Sequence, residues 1–181
     1  MKATGIVRRI DDLGRVVVPK EIRRTLRIRE GDPLEIFTDR EGEIILKKYS
    51  PIGELGQFAQ QYADSMAQTI GQIVIITDKD QFIAVAGAPK KDWQNKAVSK
   101  ELERLINDRE NVVAIKDDKE FVNISQDDDD LKCQAVASII SEGDAIGSVI
   151  IASKDPKTKF GDTEAKLAST AAGFLGRQME N

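Results

Sequence analysis

The sequence contains no histidine and a single cysteine, Cys133. Without histidine, the chain cannot use a Ser-His-Asp or Cys-His catalytic mechanism, and no metal site can rest on imidazole ligands. A lone cysteine forms no intrachain disulfide, and we expect Cys133 to fill apolar space in a strand-like run over 131–140 rather than to react. We therefore expect a protein that is not an enzyme and that carries no metal and no cofactor.

Aromatic residues make up only 5% of the chain, and long hydrophobic runs are missing. The few rings are scattered, so a stacking surface for single-stranded nucleic acid is not expected. The longest apolar runs, at 73–76 and 149–152, are far shorter than a membrane span. Arg8 and Arg9 interrupt the early apolar stretch, which argues against a signal peptide. These patterns predict a cytoplasmic protein with no membrane partner.

Positive charge is concentrated at the start of the chain. The whole sequence has a formal net charge of -4, yet residues 1–29 hold nine basic and three acidic side chains. A positive patch on an acidic protein marks where a polyanion would bind. Most of these cations are arginines, whose planar fork grips phosphate and the edge of guanine. A solvated charged face is the alternative interpretation, but the local positive excess favours double-stranded DNA.

Charge also divides the chain near Ser50-Pro51. Residues 1–50 carry 12 basic and 9 acidic groups, whereas residues 51–181 carry 15 basic and 22 acidic groups. Proline disfavours helix in the residue before it and suits the first helical position, so it marks a structural boundary. We predict a DNA-binding domain over 1–50, a linker helix over 51–70 and a second domain over 71–181.

The first domain is predicted to be built from short strands and one short helix. Alternating residues predict a strand over 4–10, a turn at 11–14 and a strand over 15–18. A helix over 20–27 and a hairpin with strands at 34–38 and 43–48 follow. Fifty residues with such short elements bury too little surface to be stable alone. We therefore expect an obligate dimer with interleaved strands.

Four arginines are the main candidates for contact with DNA. Arg8 and Arg15 lie on either side of the predicted turn, and Arg23 and Arg24 lie in the short helix that follows. A dimer presents two copies of each, which suits the phosphates of a duplex. Arg9 is a weaker candidate. Recognition is expected to use phosphate contacts and DNA shape as well as base edges.

The predicted linker helix carries apolar residues at alternating spacings of three and four. This seam can pack on the sheet of its own domain or pair with the same helix of a partner chain. A seam of only two heptads is too short to distinguish these two interpretations. The residues are Ile52, Leu55, Ala59, Tyr62 and Met66.

The second domain is predicted to be α+β with a central antiparallel sheet. Strands are predicted at 73–77, 82–86, 112–115, 120–124, 133–141 and 145–153, with helices over 94–107 and 162–179. Tight turns at 78–80 and 142–144 predict two hairpins. The acidic run 127–130 lacks the spacing and glycine of a calcium loop, so we interpret it as a solvated loop.

The run TGIVRRIDDLGRVVVPKEIRRTL at 4–26, with 34–37 and 44–49, resembles the AbrB family of bacterial transition-state regulators. This resemblance implies a swapped-hairpin β-barrel dimer in which arginines matching Arg8, Arg15, Arg23 and Arg24 contact DNA. Antitoxins share this DNA-binding type, so an antitoxin that represses its own gene is an alternative. Antitoxins usually end in a disordered arm, whereas residues 51–181 have the pattern of a folded domain.

The second domain resembles a GAF domain in its element order, in IGSVII at 146–151 and in FGDTE at 160–164. An AbrB-like domain joined to a GAF-like domain resembles late sporulation regulators of spore-forming bacteria. That resemblance implies an activator and repressor of sporulation genes, associated with the forespore nucleoid. It also implies a homotetramer joined through the linker helix and the GAF-like domains.

GAF domains often bind small molecules. The candidate lids here are 89–95, with Trp93, and 116–126. The alternative is that the domain only assembles the tetramer. Some GAF-based sulfoxide reductases are enzymes, but their chemistry uses several cysteines, which Cys133 alone cannot supply.

Overall fold

The computed structural model describes residues 4–93, 96–127 and 130–180. The chain divides into two compact units, with the boundary between Tyr49 and Ser50. Within the described ranges, no helix is long and apolar enough to cross a membrane. Lys2, which contributes to the predicted basic patch, lies outside these ranges.

The first unit contains one helix and one hairpin. Helix α1 spans Lys20–Thr25, strand β1 spans Leu34–Thr38 and strand β2 spans Ile44–Lys48. The two strands pair in antiparallel register from Leu34 opposite Lys48 to Thr38 opposite Ile44. The predicted hairpin is confirmed, with a difference of one residue at the start of β2.

Residues 4–18 lack the two predicted strands, although the turn between them is present. The N–H of Gly14 donates to the carbonyl of Asp11, and Gly14 has φ +76°, which a glycine adopts at no steric cost. A strand is defined by the hydrogen bonds of a neighbouring strand, and none of the described strands lies beside these segments. The prediction of strands over 4–10 and 15–18 is therefore wrong for the single chain.

The first unit has almost no interior. Pro19 is its one buried residue among the described positions up to Tyr49. Val7 is 85% exposed and Val17 is 71% exposed, although both are strongly hydrophobic. Other large apolar side chains are exposed in the same way: Ile6, Ile10, Leu13, Val16, Leu26, Ile36, Ile44 and Leu46.

In its described residues, the second unit has four α-helices and five strands, and the strands form one sheet. Its elements are α2 Pro51–Glu54, α3 Gly56–Ile70, β3 Ile73–Asp78, β4 Phe82–Ala86, α4 Lys100–Asp108, β5 Asn111–Ile115, β6 Cys133–Ser141, β7 Asp144–Ser153 and α5 Asp162–Gln178. The strand order is β4-β3-β7-β6-β5, and every neighbouring pair is antiparallel. The predicted α+β class with a central antiparallel sheet is confirmed.

Each face of this sheet is covered by helices and has its own core. On one face, small residues of α3 and α5, including Ala63 and Ala171, pack against alternate residues of the strands. On the other face, α4 packs through Leu102 and Ile106, together with the buried Trp93. The burial of these apolar side chains supplies the main stabilising free energy of the unit.

The close packing of α5 depends on a glycine. A Cβ atom added at Gly176 would lie 2.0 Å from the carbonyl oxygen of Ile140 in β6, much closer than two such atoms can approach. The absence of a side chain therefore lets α5 lie directly on the sheet.

The helix predicted over 51–70 is interrupted at Leu55, and its seam contacts the sheet of its own unit. Leu55 has ψ 22° and separates α2 from α3. Ile52 and Ala59 are fully buried in the core that α3 and α5 form with the sheet, while Tyr62 and Met66 pack at the edge of this core. The interpretation in which the seam packs on its own sheet is confirmed for the buried residues.

One helix boundary and one predicted strand differ from the structure. The helix predicted over 94–107 begins at Lys100, because the Ser99 hydroxyl accepts a hydrogen bond from the Leu102 N–H at 3.0 Å and caps it. Gln94 and Asn95 lie outside the described residues. The strand predicted over 120–124 is wrong: Phe121 N–H closes a turn onto the Asp118 carbonyl, and pairing is limited to a single bridge at Ser125.

Cys133 is fully buried at the start of β6, as predicted for an apolar filler. Burial raises the pKa of its thiol, which lowers the thiolate fraction on which reactivity depends. Of the acidic run, Asp127 and Asp130 are exposed, and residues 128–129 lie outside the described ranges.

Candidate nucleic-acid interface

Asp11 organises the turn that lies between two of the predicted site residues. Its Oδ1 accepts hydrogen bonds from the N–H groups of Leu13 at 3.0 Å and Arg15 at 2.8 Å. The N–H of Asp11 in turn donates to the Arg15 carbonyl at 3.1 Å. An aspartate that accepts from backbone groups just ahead of it is a common turn device. The turn thus fixes the backbone of Arg15 relative to Asp11.

The same aspartate also holds the side chain of Arg15. Nε of Arg15 lies 2.8 Å from Asp11 Oδ2, while the Arg15 side chain remains 70% exposed. The hydrogen bonds from the Arg15 backbone and then from its side chain hold the pKa of Asp11 below its usual value. An exposed ion pair of this kind contributes little to stability, so its main effect is to orient the guanidinium group.

Arg8 and Arg9 lie in the extended segment before the turn, and both are exposed. A terminal nitrogen of Arg8 donates to the neighbouring Val7 carbonyl at 3.2 Å, a local contact that a phosphate oxygen could replace. Neither arginine is held by a carboxylate in the described contacts. Both therefore present a full positive charge to solvent.

Arg23 and Arg24 lie in helix α1 but differ in exposure. Pro19 precedes the helix, and the N–H of Arg23 donates to its carbonyl at 3.0 Å. Arg24 is exposed, whereas Arg23 is half-buried and its Nε has no hydrogen-bond partner among the described residues. Arg24 is thus accessible to a phosphate, whereas Arg23 is partly packed against the unit.

Asp32 and Lys48 tie the segment that follows α1 to β2. The Asp32 carboxylate accepts from the Arg29 N–H at 2.8 Å and lies 2.9 Å from the Lys48 ammonium. Lys48 also donates to the carbonyl of Arg27, which has φ 53° and ends the helix. These contacts set the position of α1 on the hairpin.

Opposing effects act on the ionisation of Asp32. Burial of the carboxyl raises its pKa, but hydrogen bonds from Arg29 and Lys48 and the charges of both residues outweigh burial, so the pKa lies below its usual value. Asp32 is therefore a charged, half-buried anchor at neutral pH.

Asp32 and Lys48 were not predicted to have a role at the site, and Asp11 was predicted only as part of a turn. Asp11 carries a local signal, because an aspartate three residues before Gly14 is typical of a capped turn. The partner of Asp32 lies on another strand, so local spacing could not identify the pair. The placement of Arg8, Arg15, Arg23 and Arg24 on one DNA-binding surface remains a prediction.

Family models match both units. The model described as "Stage V sporulation protein T C-terminal, transcription factor" matches residues 54–180. The model described as "Antidote-toxin recognition MazE, bacterial antitoxin" matches residues 7–54.

Two relatives from Bacillus subtilis (strain 168) extend these matches. Stage V sporulation protein T is 58% identical over 180 residues, which is 99% of each chain. The transition state regulatory protein AbrB is 67% identical over 51 residues, which cover 28% of this chain and 52% of AbrB. Among solved structures, the GAF domain of an Acinetobacter phosphoenolpyruvate-protein phosphotransferase has a TM-score of 0.57 at 10% identity, covering 74% of this chain and 84% of that one.

These findings define a two-domain transcription factor, in which an AbrB-like DNA-binding domain precedes a domain with the GAF fold. The chain belongs to the stage V sporulation protein T family. The predicted resemblance to the AbrB family and to GAF domains is thereby confirmed.

Proposed function

We propose that this protein regulates sporulation genes by binding duplex DNA through Arg8, Arg9, Arg15, Arg23 and Arg24. The observation that carries the proposal is the exposure of four of these arginines around the Asp11–Gly14 turn and on α1, in a domain closely similar to that of AbrB. Arginine side chains in such positions suit phosphate oxygens and guanine edges. Arg23 is included because the resemblance to the AbrB family matches it to an arginine that contacts DNA.

The DNA-binding form is proposed to be a dimer. Ten large apolar side chains are exposed in the first unit, and a domain of this size rarely folds with its apolar residues in water. A second copy that adds strands along residues 4–18 would satisfy their backbone groups and cover these side chains. Such a dimer doubles the number of arginines that face DNA.

Two dimers are proposed to join through α3 and α5. Phe58 and Tyr62 of α3 stack near Phe174 of α5, with a centroid distance of 5.3 Å between Tyr62 and Phe174. Phe174 is 39% exposed, and Leu167, seven residues earlier on the same side of α5, is 36% exposed. An apolar stripe shared by two neighbouring helices suits a helical interface between copies.

Similarity to stage V sporulation protein T over the whole chain supports a proposal about the biological setting. We place the protein in the cytoplasm of the forespore, on the nucleoid, where it activates some sporulation genes and represses others. The GAF-like domain drives assembly and binds a small ligand that adjusts DNA binding. No catalytic step is part of this proposal.

The antitoxin alternative is supported by the family model that matches residues 7–54. That match shares the DNA-binding domain and ends near the boundary at Ser50. Residues 51–180 contain two buried cores, whereas the antitoxin hypothesis expects a disordered arm. The regulator is therefore the better supported function.

The DNA-binding proposal is tested with the double variant Arg8→Ala/Arg24→Ala. Both side chains are exposed, so the variant should fold normally. Genome-wide footprinting should show loss of sites, and fluorescence anisotropy should show weaker binding to promoter DNA. Because each dimer loses four cations, the slope of log affinity against log salt should become shallower by about 3 to 4.

Arg40→Ala is the matched control, because Arg40 is an exposed arginine of the same unit outside the proposed interface. It should leave the footprint and affinity close to wild type. If the double variant and the control bind alike and with equal salt slopes, the proposed interface is wrong. Arg23→Ala, measured separately, should weaken DNA binding and also lower stability.

A further inference from the structure

A polar cleft opens on the α4 face of the second unit. Its volume is about 630 Å³, and its walls come from the start of α4 and from the loop segments around Lys116 and 123–127. Lys100 and Lys116 bring positive charge to the cleft, and Glu101 and Asp127 bring negative charge. No aromatic ring is among the described lining residues.

On the same face of the sheet, Gln134 of β6 buries an amide group without partners. The residue is fully buried, and neither its Oε1 nor its Nε2 has a hydrogen-bond partner among the described residues. Its neighbours in register are the small residues Ala114 and Ala152. A buried amide without partners is costly, so this position suits a bound polar molecule.

Strand register connects Gln134 to the cleft. Ala114 of β5 lies opposite Gln134, and Lys116 follows Ala114 by two residues, with its N–H donating to the Lys132 carbonyl at 2.9 Å. Alternate residues of a strand share a face, so Gln134 lies one row inward from Lys116 on the α4 side.

Trp93 provides a second buried donor near the same cleft. It is 2% exposed, and its indole Nε1 has no hydrogen-bond partner among the described residues. Lys96 links it to the cleft: Nζ lies 5.8 Å from the centre of a Trp93 ring and 3.8 Å from Asp127 Oδ2. Lys116 thus relates Gln134 to the cleft by strand register, and Lys96 relates Trp93 to it by contact.

We propose that this cleft is the mouth of a binding site for a free α-amino acid, with the amide of Gln134 and the indole N–H of Trp93 at its inner end. The proposal rests on the ligand-sensing part of the proposed function and names the ligand class. Lys100, Lys116 and the N-terminus of α4 receive the carboxylate. Glu101 and Asp127 receive the ammonium group, and Gln134 offers both a donor and an acceptor to the side chain.

The lining argues for an amino acid over a nucleotide. A nucleobase is usually held by stacking on an accessible ring face. The described cleft walls offer none, and the buried Trp93 ring at the inner end already packs against Phe82. Mixed charge of both signs also fits a zwitterion better than a polyphosphate, which would be repelled by Glu101 and Asp127.

The experiment is a thermal-shift screen of the full chain with each of the common L-amino acids and, separately, with cyclic and linear purine nucleotides. At a saturating concentration, at least one amino acid should raise the melting temperature by about 5 °C or more. Gln134→Met, which keeps the apolar volume but removes the amide, should abolish that shift. Lys100→Ala, an exposed substitution, should weaken binding of the same amino acid about tenfold or more in calorimetry.

Gln57→Met is the matched control, because Gln57 is an exposed glutamine of α3 away from the cleft, and it should keep the full shift. If no amino acid shifts the melting temperature, or if both cleft variants respond like wild type, the proposal is overturned. A shift by nucleotides alone overturns the ligand class but leaves ligand sensing intact. Promoter binding, measured on the same preparations without ligand, tests the DNA-binding proposal independently.

Discussion

At the scale of single residues, the first unit is held in shape by two aspartates that carry no DNA contact in our proposal. Asp11 fixes the turn and the direction of Arg15, and Asp32 fixes the end of α1 on β2. A cation can contact DNA only from the position that its backbone allows. The carboxylates are therefore as important to the interface as the arginines beside them.

We predict that Asp32→Asn lowers the free energy of unfolding of the dimer by about 1–3 kcal/mol, because it weakens charge-assisted hydrogen bonds to Arg29 and Lys48. DNA affinity should also fall, with no change in the salt slope, because no contacting cation is lost. Urea titration and fluorescence anisotropy measure the two effects. Asp12→Asn, at an exposed site with no described side-chain contact, is the control and should change neither.

The effect of Asp32 should depend on pH. Its folded pKa lies below the ordinary value of 3.8, so its stabilising contribution is complete above pH 3.8 and is lost as the pH falls through the folded pKa. The stability difference between wild type and Asp32→Asn should stay constant near neutral pH and shrink below that value. A difference that grows in acid would contradict the anchor role.

At the scale of helices and strands, sequence patterns correctly predicted the hairpins, whose turns and alternation are local. They gave wrong predictions where an element depends on a cap or on a strand from outside the segment. The β1–β2 hairpin and the hairpins around 78–80 and 142–144 have strong alternation and tight turns, and the structure confirms them. The start of α4 was missed because the cap at Ser99 outweighs helical propensity in 94–98. Residues 4–10 and 15–18 have strand periodicity, but pairing depends on a neighbour that their own chain does not supply.

The candidate site also combines residues with a local sequence signal and residues that depend on distant contacts. Charge and the resemblance to the AbrB family were enough to propose the arginines, because both are visible in the sequence. Asp32 was not identified, because its contact with Lys48 joins residues distant in the chain. Gln134 was not identified either, since an amide in an apolar strand becomes unusual only when its burial is known.

The apolar stripe shared by α3 and α5 leads to a prediction about assembly. Phe174→Glu should convert the tetramer to dimers, because it places a charge in the proposed apolar interface. Sedimentation velocity measures the change in mass. Ser169→Glu, on a different side of the same helix and exposed, should remain tetrameric. If Phe174→Glu also remains tetrameric, these helices do not form the interface.

At the scale of the whole molecule, the two units differ in what they can do alone. Residues from Ser50 onward bury cores on both faces of a five-stranded sheet, whereas the first unit leaves most of its apolar side chains exposed. We therefore expect the second unit to fold from a single chain and the first to need another copy.

Limited proteolysis should separate the regulator from the antitoxin alternative. Trypsin is expected to cut after Lys47 or Lys48, next to the unit boundary, and to leave a resistant fragment close to residues 49–181. Mass spectrometry identifies the fragment, and its cooperative melting shows that it is folded. Rapid digestion of this region to short peptides would favour a disordered toxin-binding arm.

The exposed apolar side chains of the first unit have a genetic consequence. In the proposed dimer, a chain that lacks Arg8 and Arg24 keeps Val7 and Val17, so it should still pair with normal copies and draw them into inactive assemblies. A chain altered at Val7 or Val17 should not pair through its first unit, and with Phe174→Glu added it should not join through α3 and α5 either, so the normal copies stay unaffected. In a cell that carries both alleles, loss of the arginines should therefore be dominant, and loss of the valines together with Phe174→Glu should be recessive.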